Sequence, residues 1–218
     1  MLDDGHFAIM GEPARPKILG IGLDQDNAGR PFYVAPHFYW GVTDDIMLGI
    51  THDRGLCFNC DRPYNDVGFG MLIFLTDGPK HELDLHLRVP VNNFDPFHLG
   101  FAAGVLGRVN LGSVAALVFD PSLYLGVVGR NSGNGDGLSL PVWFYFQAGS
   151  VVVPFVGTAL NGPFDDFGDH FEIPIEGGIL FTVSRNVDIG FVLRFGNPLG
   201  RGGSFDWREI GFIGRFVF

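Results

Sequence analysis

From Lys17 onward apolar and polar residues alternate with a period of two, and this period limits the fold more than any other feature of the chain. In Glu82–Val91 the residues Leu83, Leu85, Leu87, Val89 and Val91 share one face, opposite Glu82, Asp84, His86, Arg88 and Pro90. In Val187–Gly196 the residues Val187, Ile189, Phe191, Leu193 and Phe195 oppose Asp188, Gly190, Val192, Arg194 and Gly196. The closing stretch, WREIGFIGRFVF, sets Ile210, Phe212, Gly214, Phe216 and Phe218 against Trp207, Glu209, Gly211, Ile213, Arg215 and Val217. A soluble strand would bury the greasy face. A strand of a membrane barrel would turn that face to lipid and point Glu209 and Arg215 into a lumen.

Composition favours strands. Apolar residues make up 46% and charged residues 17%, with 33 Gly and 23 Phe, so tight turns and β-prone residues replace the usual helix formers. The longest uncharged run, Gly137–Phe164, is long enough for a membrane helix, but Pro141, Gly149, Pro154 and Gly157 interrupt it. A net charge of -10 excludes a nucleic-acid partner, whose phosphates require clustered Lys and Arg. The N-terminus, MLDDGHFAIM, carries acids where an export signal carries bases, so such a signal is expected to be missing from this chain rather than from its gene. Cys57 and Cys60 form a lone CxxC; zinc would need a second pair, and a short-loop disulfide of an exported protein is the plainer reading, with no metal and no cofactor implied.

The period and the turn residues predict twelve strands, at 17–24, 32–42, 46–53, 67–76, 82–91, 99–109, 113–127, 138–147, 151–160, 170–183, 187–196 and 207–218, with ten or fourteen as alternatives. Even-to-odd connections such as Thr43–Asp45, Asn110–Gly112, Ala148–Ser150 and Ser184–Asn186 are short. Odd-to-even connections such as Arg54–Asp66, Val128–Gly137 and Asn197–Asp206 are longer. That alternation predicts an all-β, antiparallel, up-and-down transmembrane β-barrel over 17–218, with turns and both termini in the periplasm and loops outside. Residues 1–16, with Pro13 and Pro16, are expected to form a tail or plug-like segment.

Through its last strand, ending in Phe218 with Phe216, Gly214 and Phe212 at alternate positions, the chain resembles the bacterial outer-membrane β-barrel proteins. The resemblance implies an outer-membrane location and makes these four residues a signal read by the barrel-assembly machinery. A monomer in the bilayer is expected.

The alternation then directs Asp84, His86, Arg88, Arg108, Asp120, Tyr145, Glu172, Glu176, Asp188, Arg194, Glu209 and Arg215 into the lumen. Carboxylates outnumber arginines there, which suits a narrow porin-like channel for small polar or cationic solutes. A closed structural or surface-binding barrel is the alternative. No Ser-His-acid or GxSxG arrangement supports a lipid-modifying enzyme; Ser139 and His170 lie a strand apart, and His52 is expected to face lipid. The loop Arg130–Gly137 has the residue types that open a calcium loop, without the distal Glu, and is expected to be a Gly/Asn-rich turn.

Overall fold

The computed structural model describes residues 16–25, 32–52, 55–58, 61–184 and 186–217; up to residue 33, and for 204–209, 216 and 217, the description is of backbone alone. The expected N-terminal tail therefore lies almost wholly outside the described residues, with Pro16 opening the first strand.

The strands form one 17-stranded sheet. In chain order they begin with β1 (Pro16–Gln25), β2 (Phe32–Val34), β3 (Phe38–Gly41), β4 (Ile46–Thr51), β5 (Leu56–Phe58) and β6 (Val67–Asp77). The long hairpin β7 (His81–Phe94) and β8 (Phe97–Asn110) leads to β9 (Ala115–Phe119), β10 (Ser122–Val128), β11 (Gly137–Ser139) and β12 (Val142–Phe146). The last five are β13 (Val152–Thr158), β14 (Asn161–Pro163), β15 (Ile175–Ser184), β16 (Val187–Asn197) and β17 (Ser204–Val217). Their pairings are antiparallel throughout. β1 pairs with β17 from Pro16↔Val217 to Gln25↔Arg208, and with β2 at Leu23↔Phe32.

The segments outnumber the expected strands because proline has no N–H to give to a ladder. Pro36 lies between β2 and β3, Pro121 between β9 and β10, and Pro141 between β11 and β12. Two expected loops are corrected by added strands, as β5 pairs with β2 and β14 with β11. The expected loop Asn92–His98 shrinks to a tight connection, since the β7–β8 ladder runs to Phe94↔Phe97. The preceding segment holds that tip: Asn65 Oδ1 accepts from the Phe94 amide at 3.2 Å, and Arg62 reaches Asp95 Oδ2 at 3.0 Å.

Burial follows the two-residue period. On one face Phe101, Leu125, Phe144, Val156, Phe181, Ile189, Phe191 and Phe212 are exposed; on the other Asp84, His86, Arg108, Asp188 and Arg215 are buried. The enclosed face also carries an apolar cluster of Ala116, Val118, Tyr145, Val153, Phe155 and Val192, with the Tyr145 and Phe155 rings 5.2 Å apart.

Candidate functional site: the enclosed polar face

Cross-strand register decides which charges meet on the enclosed face. Glu82 of β7 lies directly opposite Arg108 of β8, and the pair closes at 2.9 Å. Asp188 of β16 opposes Arg215 of β17, and their side chains form a buried ion pair. Glu176 of β15 opposes Arg194 of β16, with Nε to Oε2 at 2.6 Å. Trp143 Nε1 also donates to Glu176, although β13 runs between them. Gly157 makes that reach possible, because a Cβ there would sit 2.2 Å from Trp143 Cδ1. His86 Nδ1 meets Asp120 Oδ1 at 3.0 Å across β8.

Asp84 and Arg88 stand on the ladders but outside these pairs. Asp84 is 1% exposed, lies in register between Phe74 and Leu106, and has an Oδ1 without a hydrogen-bond partner. Arg88 is half-buried, between Gly70 and Ala102 in register. The remaining expected residues scatter. Tyr145 belongs to the apolar cluster. Glu172 is exposed and precedes β15, held by an isolated bridge to Asn161. The expected strand 170–183 opens only at Ile175, because Phe167–His170 forms a short helix, α1, and Pro174 precedes the ladder. Glu209 lies opposite Arg194 and Asp24 in the backbone register, and its side chain is outside the described part.

Phe212 is 49% exposed, Gly214 continues the same strand, and Phe216 is described by its backbone alone. Phe218 and Cys60 lie outside the described residues, whereas Cys57 is buried on β5. His52 corrects the expectation of a lipid-facing histidine. It is buried, with Nδ1 at 2.6 Å from the Pro36 carbonyl and Nε2 at 2.9 Å from the Tyr64 hydroxyl. The hydroxyl of Ser139 donates to Asn161 Oδ1 at 2.8 Å, while His170 is exposed on α1.

The loop after β10 takes a role that residue types alone did not reveal. Its calcium-like residues serve the protein itself. Arg130 grips both oxygens of Asp136 at 2.6 and 2.9 Å, and Asp136 Oδ1 accepts from the Gly126 amide at 2.9 Å. Asn134 is buried; its amide donates to the carbonyls of Leu99 at 2.9 Å and Val128 at 2.5 Å, and its Oδ1 accepts from the Tyr124 hydroxyl. Asn92 in turn donates to Tyr124 at 3.0 Å. The loop is thereby folded onto the inward side of β8 and β10 rather than extended away from them.

The Arg130 side chain, and after it the Gly126 amide, hold Asp136 below its ordinary pKa. A carboxyl depressed in the folded state contributes stability above its unfolded value and loses it as pH falls through the folded one. The Gly126 amide resonance is therefore expected to titrate with a midpoint below about 4, the ordinary aspartate value. Asp136→Asn should abolish that titration, and a midpoint at the ordinary value would contradict the pairing.

No protein-family model and no curated protein matches the chain. Among solved structures it is similar to a KdgM porin in complex with disordered oligogalacturonate, with a TM-score of 0.65 at 7% identity over 93% of this chain and 99% of that one. The NanC porin follows at 0.63 and 8%, over 93% and 99%. The Acinetobacter baumannii outer membrane protein Omp33 gives 0.53 and 9%, over 96% and 100%. The chain has the fold of the bacterial outer-membrane β-barrel porins.

Proposed function

We propose that the chain is a closed twelve-strand barrel of the bacterial outer membrane and acts as a narrow porin-like channel for small polar solutes. The observation that carries this reading is the inverted distribution of side chains. Ion pairs are enclosed, while large apolar residues cover the exposed face, an arrangement that is stable where that face meets lipid. Closure is supported by the pairing of β1 with both β17 and β2. Joining β2 with β3, β4 with β5, β9 with β10, β11 with β12 and β13 with β14 turns the segments into twelve spans. In this reading the short connections and both termini are periplasmic, and the protein is a monomer.

The fold shared with porins supports passage of solutes rather than catalysis. Charge preference is weaker than carboxylate numbers alone suggest, because Glu82, Glu176 and Asp188 are each matched by an arginine. Single-channel recording in planar bilayers tests the function: discrete conductance steps are expected, and their absence with protein shown to be inserted would sink it. A closed structural barrel is the second reading, favoured by the burial of the apolar cluster on the enclosed face; it predicts no steps.

Assembly and export belong to the same proposal. Deletion of Phe218 should reduce the inserted fraction, measured by heat-modifiable migration of membrane extracts, and leave the conductance of inserted molecules unchanged. Equal insertion of the deletion and the parent would remove the assembly signal. The cysteine pair is proposed as a short-loop disulfide, so alkylation of denatured, unreduced protein should label neither Cys57 nor Cys60. Labelling of both would refute it.

A further inference from the structure

Arg88 differs from the other inward arginines in what surrounds it. Arg108, Arg194 and Arg215 each face a carboxylate directly across a ladder. In register Arg88 faces Gly70 on one side and Ala102 on the other, and among the described residues it forms no ion pair. Its Nε is buried without a hydrogen-bond partner. Asp84, on the same strand and face, is four residues away, roughly 13 Å at the rise of a β-strand. Asp120 Oδ1 lies 3.0 Å from His86 Nδ1. A buried guanidinium N–H with no acceptor among the described residues costs stability, and an anionic ligand offers it one.

The register also brings a hydroxyl to Arg88. A single register row runs Tyr39, Gly49, Gly70, Arg88, Ala102 and Tyr124 across β3, β4, β6, β7, β8 and β10. The ring of Tyr39 lies flat over Gly49, where a Cβ would come 2.4 Å from Cδ1. This posture carries its hydroxyl forward over Gly70: a Cβ on Gly70 would be 3.5 Å from Tyr39 Oη and 3.8 Å from Arg88 Cγ. The two side chains thus come together over the Gly70 backbone. One rung along β7, His86 is nine-tenths buried and its Nε2 has no partner. A planar fork of N–H donors and a phenolic hydroxyl match the acceptors of a carboxylate.

We infer that Arg88, assisted by Tyr39, is a binding station for small carboxylate-bearing solutes on the enclosed face. This deepens the channel reading and rests on it for the claim that the station lies on a pathway. The test is equilibrium binding, which does not depend on conduction. Protein folded in detergent is titrated with lactate and, separately, with lactamide, its uncharged counterpart, and the heat of binding is recorded.

Wild-type protein should bind lactate saturably and lactamide not at all. Arg88→Gln should weaken lactate binding at least about tenfold, the effect of a lost charge-assisted hydrogen bond. Arg88→Lys keeps the charge without the fork and should fall between, and Tyr39→Phe should weaken binding about threefold through loss of one neutral hydrogen bond. Heat-modifiable migration identifies folded variants, and the lysine variant carries the test where the glutamine variant does not fold. Equal binding by the arginine variants and the parent, equal binding of lactamide, or no saturable lactate binding by the parent would overturn the station. Conductance steps without lactate binding would keep the channel and remove the station. Lactate binding without conductance steps would keep the site and remove it from a pathway.

Discussion

Replacing Asp188 with alanine is expected to destabilise the folded protein by about 3–5 kcal/mol, the cost of leaving a buried charge without its partner. Arg215 is 7% exposed, and its Nε and Nη1 find no acceptor even with Asp188 present, so the lost carboxylate is not replaced by another described group. The double variant, with Ala at both positions, should be more stable than the single one, because the orphaned guanidinium is removed with the carboxylate. Urea unfolding in detergent or lipid vesicles measures both. The outcome also reports on the lumen. A well-hydrated pore at this level would screen the pair and bring the cost down to about 0–1 kcal/mol, the range of exposed ion pairs. That lower figure would show that this end of the enclosed face is wet.

The second large effect lies on the opposite face. Phe191→Arg is expected to destabilise the protein in lipid by about 2–4 kcal/mol if the site lies near the bilayer midplane. Phe191 and Phe212 pair edge to face across β16 and β17, their ring centroids 5.7 Å apart, and are 40% and 49% exposed. Two neighbouring phenylalanines so exposed would be a liability in water, and a substitution at such a water-facing position would change stability by only about 0.5 kcal/mol. Unfolding of the variant in vesicles separates the cases. A change within that small margin would turn the exposed face toward water and remove the membrane reading with it.

Much of this arrangement is legible in the residues because the side-chain period of a strand is two. Once Asp188 is placed on one face, Val192 and Arg194 must share it and Phe191 must not. The same rule groups Asp84, His86 and Arg88 on one face of β7, and Arg108 and Arg215 fall on the buried faces of their strands. It fails where the ladder fails. Glu172 lies ahead of β15 rather than on it, since Pro174 and α1 displace the strand's start. His52 lies just beyond Thr51, the last residue of β4, and there the Pro36 carbonyl and Tyr64 decide its direction.

Loop chemistry was legible only as residue types. Asn134 and Asp136 suit a calcium loop as well as they suit the contacts they make. Their commitment to Leu99, Val128, Gly126 and Arg130 depends on how far the loop folds back over β8 and β10. Sequence spacing does not encode that distance.

The amino-acid sequence by itself determined an antiparallel β architecture and the face on which each regular strand residue falls, because alternation is a local property of an extended backbone. Only the tertiary structure decided which inward charges cancel. Pairing depends on the stagger between strands that are distant in sequence or joined by turns, and a shift of one residue would exchange every partner. That stagger sets Glu82 against Arg108, Glu176 against Arg194 and Asp188 against Arg215, and it places Arg88 between a glycine and an alanine.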